Sequence, residues 1–187
     1  NIQTMMQGLQ AMKDSAALLV YWDGEASDIS WPEPCIVEYV TNGQGGINSL
    51  SKGTIDAMMA DKNTSIYDLI GIGNIRKKYP PQTSTEKTVM QTVIGDMMSA
   101  YPSESYGIIF GSHGSGWLPT ITGTRSIGQD GGRYSSDTAL IPELAEVLRT
   151  VNPQKFDFVL FDACMMGCAE VYYELKDAAR YLSLIHI

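Results

Sequence analysis

The stretch that most limits what this chain can fold into is "FDFVLFDA", Phe156 to Ala163. A short run this nearly continuous in apolar residues reads as a strand buried on both faces, the habit of a strand inside a parallel sheet. A parallel neighbour requires a crossover of a dozen or more residues, usually a helix. The sequence supplies both parts. Upstream, "YGIIFGS", Tyr106 to Ser112, is another apolar run that ends in a small-residue turn. Between the two runs lies "IPELAEVL", with Pro142 near a helix start and Leu144, Val147 and Leu148 on one face. This is a β-α-β unit, so its two strands are expected to lie parallel and adjacent.

The rest of the chain extends the pattern. "AALLVYW", Ala16 to Trp22, and "CIVEYV", Cys35 to Val40, each read as a strand followed by a glycine turn. The segment from Ile47 to Lys78 is ambiguous. Ile66, Leu69, Ile70 and Ile75 sit at roughly helical spacing, but Gly71 and Gly73 interrupt them. Thr83 and Glu86 form a capping-box pattern ahead of Met90, Ile94, Met97, Met98 and Tyr101, and Pro102 ends that helix. Gly114 to Asp137 is long, glycine-rich and aperiodic, the mark of a functional or disordered loop. "CMMGCAEVYYELKDAARYL" reads as a helix with Cys168, Val171, Tyr172, Leu175 and Ala179 on one side. The fold class expected is α/β, a mostly parallel sheet flanked by helices, in one domain over residues 1–187.

Composition narrows the function. A formal net charge of −8 argues against a nucleic-acid binder, which shows a basic patch or stripe. No apolar run approaches the roughly 18 residues of a membrane span. "NIQTMMQGLQAMKDS" shows no signal-peptide pattern and no initiator Met, so a fragment or a processed form is expected. The three cysteines, Cys35, Cys164 and Cys168, are not a disulfide framework. The plain reading of Cys35 and Cys168 is a buried small hydrophobe. Cys164 and Cys168 lack the C-x-x-C redox spacing, and no second cysteine pair completes a zinc site, so no metal is expected.

The chemistry concentrates at the ends of the two paired strands. His113 follows one and Cys164 the other, 51 positions apart in sequence. Open α/β sheets hold their ligand sites outside the carboxyl ends of strands. A free thiol has a pKa of about 8.5, and a neighbouring imidazole can take its proton. Cys164 sits where the last helix is expected to begin, so the N-terminal end of that helix favours the thiolate, and its unpaired N–H groups can donate to an oxyanion. Gly114 allows close backbone approach and offers another N–H. The plainer alternatives are a turn histidine bonded to backbone and a packed thiol at a strand end.

"GSHGSGW" and "FDACMMGCAEVYYEL" resemble the paired motifs of the clostripain family of cysteine peptidases, within the caspase-like clan. The resemblance also takes in "LLVYWDG", the capped helix, "SIGQDGG" and "IPELAEVL", about two thirds of the chain. It implies a caspase-like three-layer sandwich with Cys164 as nucleophile and His113 as general acid/base. It implies an oxyanion hole from Gly114 and the Cys164 N–H, and Asp162 beside an S1 pocket that takes Arg or Lys. The partners implied are protein or peptide substrates with basic residues. Processing at a basic residue between the motifs is also implied, with Arg125 and Arg133 as candidates. No cofactor is expected beyond the calcium that the family sometimes requires, and secretion or the cell envelope is the implied location. The family continues into further strands, so the sheet is expected to be incomplete on its C-terminal side. "LSLIHI" resembles adaptor read-through, which would make 183–187 a non-native tail and leave His186 without meaning. "YLSLIHI" is equally a strand pattern. The competing function is a non-catalytic or inactive truncated binding module on the same fold.

Overall fold

Two apolar runs that alternate in sequence can pair in either direction, and the connection between them decides which. The computed structural model describes residues 2–23, 33–115, 126–130 and 137–184. It resolves into two compact units, Asn1–Pro81 and Gln82–Ile187. In the first, β1 (Ala16–Trp22) pairs with β2 (Cys35–Thr41), and β2 with β3 (Asn74–Lys78), all antiparallel. This corrects the expectation of a mostly parallel sheet across the whole chain. Asp23 to Pro34 offers barely the dozen residues a crossover requires, and it carries Pro32 and Pro34, which no helix interior tolerates.

Helix α1 (Ile2–Ala11) brings Ile2, Met6 and Leu9 to a core shared with Val37, Tyr39, Ile47, Ile55 and Ile70. The ambiguous segment holds α2 (Lys52–Ala60), α3 (Ile66–Gly71) and β3. Ser65 and Asp68 close a capping box on α3. Gly73 then lets the chain cross β2, since a Cβ there would stand 2.1 Å from Val37 Cγ1 and 2.9 Å from the Tyr39 ring.

The second unit contains the expected β-α-β. Strand β4 (Gly107–Gly111) and strand β7 (Phe156–Asp162) are parallel neighbours, from Gly107 opposite Phe158 to Gly111 opposite Asp162. Helix α5 (Ile141–Val151) lies between them in sequence, with Pro142 in its first turn and Leu144, Val147 and Leu148 fully buried. Helices α4 (Lys87–Ala100) and α6 (Ala169–Leu175) pack against α5. Val159 and Phe161 from β7 complete that core, and Phe161 stacks on Phe110 with ring centroids 5.4 Å apart. The result is a mixed α/β chain with a parallel sheet flanked by helices.

Four expectations change here. Beyond the buried Phe156, strand β7 is fully buried on one face only: Phe158 is 42% exposed, on the same open face as Ile109 and Tyr181, because α4, α5 and α6 join the core formed with Val159 and Phe161. Helix α4 starts after Glu86, without a side-chain cap bond; Glu86 N–H donates to the Thr83 carbonyl instead, and this turn displaces the capping box. The last expected helix stops at Leu175, and Ala179–Leu184 forms β8, parallel to β7. The free edge of β7 overrides the helical propensity of "KDAARYL". The glycine-rich loop holds a small antiparallel pair, β5 (Ser126–Asp130) with β6 (Asp137–Leu140).

Phe161 ties the sheet to its helices. Phe161→Ala is expected to cost about 3–5 kcal/mol, read as a lower denaturation midpoint at unchanged m-value. A loss below about 1 kcal/mol would contradict this packing.

Candidate active site

Parallel strands that end together deliver their next residues to one edge. The β4–β7 ladder closes on Gly111 and Asp162, and Ser112 N–H adds a bond to the Asp162 carbonyl at 3.4 Å. His113 stands two residues past the last pair on one strand, Cys164 two residues past it on the other. Both are exposed. Gly114 measures how close the two segments run. A Cβ on it would sit 2.6 Å from the Cys164 carbonyl oxygen, 3.2 Å from Ala163 Cβ and 3.0 Å from Met166 Sδ. Only a residue without a side chain fits between the histidine and the cysteine segment.

A tight turn presents the thiol. Ala163 and Met166 are buried, while Cys164 and Met165 between them face solvent. Met165 has φ +60°, a left-handed conformation uncommon for a long side chain. The buried Met166 side chain anchors the turn beneath Gly114. This corrects one sequence expectation: α6 begins at Ala169 with Cys168 as its N-cap, so no helix starts at Cys164. The field of a helix end therefore does not account for the thiol's chemistry.

The other cysteines separate by environment. Cys35 is buried in the first unit, and desolvation pushes its thiol pKa up, which keeps it neutral and inert. Cys168 is half-buried at the edge of the second core rather than fully inside. Asp162 is half-exposed at the end of β7, on the face that also carries Phe158. Arg125, Arg133, Trp117 and His186 lie outside the described residues. Among the described residues no group of three or more His, Cys, Asp or Glu could hold a metal ion, and no helix is long and apolar enough to cross a membrane.

Sequence reasoning missed Met165, Met166 and the strand β5. Gly128 N–H donates to the His113 carbonyl at 2.9 Å, and Ile127 bridges Gly114. For Gly128 the one sequence signal was a glycine inside a polar loop; for the left-handed Met165 there was none.

An α/β fold that brings a histidine and an exposed cysteine to one sheet edge has the layout of a cysteine peptidase. The sequence profile of the clostripain family matches residues 1–184, and the chain belongs to that family of cysteine peptidases. Among solved structures, it is similar to a secreted C11 cysteine protease from Bacteroides thetaiotaomicron in complex with an irreversible peptide inhibitor. That match has 27% identity and a TM-score of 0.63, over 97% of this chain and 44% of the other. An inactive zymogen C11 protease from Parabacteroides distasonis matches at 26% identity and a TM-score of 0.59, over 97% and 43%. The chain thus spans less than half the length of these solved proteins. No curated protein matches it.

Gly114 and Gly111 offer a matched test of the contact. Gly111 has nothing within 4 Å of its Cβ position, whereas Gly114 meets backbone at 2.6 Å. Gly114→Ala is expected to destabilise by about 1–3 kcal/mol and Gly111→Ala by about 0.5 kcal/mol or less. Equal losses in thermal or denaturant unfolding would remove the close approach from the account.

Proposed function

We propose that the protein is an endopeptidase that cleaves after Arg or Lys through a Cys164–His113 dyad. The observation that carries this reading is the shared edge: the β4–β7 register puts His113 and Cys164 at equivalent positions past the same pair of strand ends. In the reaction, His113 takes the thiol proton and the Cys164 sulfur attacks the scissile carbonyl carbon. The oxyanion is held by the N–H groups of Gly114 and Cys164. The imidazolium then gives its proton to the departing amine, leaving an acyl-thioester. Water, deprotonated by His113, releases the acid and restores the thiol.

Asp162 supplies the basic preference. A carboxylate two residues before the nucleophile can pair with the guanidinium or ammonium of the residue being read. The substrates are proteins or peptides with basic residues. Arg125 and Arg133 stand in the segment between the motifs, and cleavage after one of them is the processing step. The zymogen described for the Parabacteroides distasonis protein supports a processing step in this one. Secretion follows the Bacteroides thetaiotaomicron relative, which is described as secreted. Calcium remains the one cofactor the family resemblance brings. In the whole protein the sheet carries further strands and a second helical layer, completing a three-layer caspase-like sandwich. The exposed Ile109, Phe158 and Tyr181 and the greater length of the relatives support that reading.

Matched peptides with Arg, Lys or a neutral residue before the cleaved bond test the function. Cys164→Ala and His113→Ala are each expected to lower turnover at least about a thousandfold. Asp162→Asn is expected to reduce the preference for Arg over the neutral residue by about tenfold to a hundredfold, the worth of one charge-assisted hydrogen bond. Cleavage that survives Cys164→Ala would sink the dyad. A wild-type protein that binds these peptides without cutting them would favour a non-catalytic module. Equal cutting of neutral and basic peptides would sink the role of Asp162.

A further inference from the structure

Within the glycine-rich segment after His113, the strands β5 and β6 form a built element against the site. Strand β5 pairs with β6, from Ser126 opposite Leu140 and Ile127 opposite Ala139 to Asp130 opposite Asp137. Two steps on β6 answer three on β5, so β5 carries one extra residue, a β-bulge. Gly128 sits in that bulge at φ +79°, the left-handed conformation that such a bulge uses and glycine adopts at least cost. The bulge takes Gly128 out of the β6 ladder, and its N–H donates to the His113 carbonyl at 2.9 Å.

Each of the two strands is fixed. Ile127 is 4% exposed and belongs to the core formed with α5. Leu140, the end of β6, is the N-cap of α5. A Cβ on Gly128 would meet Thr85 Cγ2 at 3.0 Å, so the bulge also packs against the residues leading into α4. Gly114 faces Ile127 in an antiparallel bridge, and the bond from Gly128 to His113 lies one residue out on each strand. This is the non-hydrogen-bonded kind of facing pair. The N–H of Gly114 is therefore not spent on β5 and stays available to an oxyanion, while the carbonyl just before it is held.

We propose that Gly128 is a positioning residue: its N–H clamps the His113 main chain from the side away from Cys164 and so fixes the imidazole relative to the thiol. The clamp's effect on turnover rests on the dyad reading, whereas its effect on the His113 ring does not. Bulges are over-represented beside active sites, where they re-aim groups and end strand pairing. Misplacement of a catalytic group by about 1 Å can cost about a hundredfold in rate.

The test replaces Gly128 by glycolate, a backbone ester that deletes the N–H and leaves the chain otherwise unchanged, and compares Gly128→Ala. His186→Gln leaves His113 as the single histidine, so its ring protons give an isolated NMR signal. The ester protein is expected to fold as wild type by circular dichroism and to show a His113 ring signal split or broadened at least about twofold. Its kcat is expected to fall about tenfold with KM within about twofold of wild type. Gly128→Ala should match the ester or exceed it. A folded ester protein with an unchanged ring signal would overturn the proposal, whatever the activity. A changed ring signal in a protein whose wild type shows no Cys164-dependent cleavage would uphold the clamp and reject the peptidase reading.

Discussion

Everything at the site depends on one ladder, the parallel pairing of β4 with β7. Its last pair, Gly111 with Asp162, sets where both strands stop, and the Ser112 bond to Asp162 carries the alignment one residue further. A slip of one residue would move the histidine relative to the cysteine by about 3.3 Å and turn every side chain of β7 to the other face. Phe161 and Val159 would then leave the core and Phe158 would enter it. The register is thus held by the hydrophobic core on one face, and the chemistry at the strand ends inherits that precision.

Past the ladder, backbone rather than side chains does most of the arranging. Gly114 lets the His113 segment lie against the Cys164 carbonyl. The left-handed Met165 turns the chain sharply, with Ala163 and Met166 buried on either side as footings. Strain of this kind persists only where surrounding structure enforces it, and it concentrates at functional sites. The thiol consequently stands on a short turn with buried footings, without the electrostatic help of a helix end. Under the proposed dyad, its activation falls to the histidine across the strand pair.

The parts of the fold legible in the sequence were those written by local apolar runs with turn residues after them. Strand β1 covers the whole of "AALLVYW", and β4 and β7 fall within the runs that announced them. The placement of His113 and Cys164 just past the strand ends was legible for the same reason, since each follows such a run. Strand direction in the first unit was not, because alternation carries no sign of which way a neighbour runs. Strand β8 was hidden because "KDAARYL" favours helix locally and becomes a strand only against the open edge of β7. Strands β5 and β6 were hidden because five and four residues without alternation leave no period to read. The capping box at Thr83 shows the converse: a correct local motif set aside when the chain takes one more turn before its helix.

In the proposed dyad, His113 acts on Cys164 across the β4–β7 edge. The most direct measurement of that action is the rate of Cys164 alkylation by iodoacetamide at about pH 6.5, where an ordinary thiol is almost wholly protonated. The rate is followed by the mass of the Cys164 peptide, in wild type and in His113→Ala. With the dyad in place, the wild-type rate is expected to be at least about tenfold above that of the variant at this pH, the difference narrowing as the pH rises toward the pKa of an ordinary thiol. Equal rates in the two proteins at about pH 6.5 would contradict it.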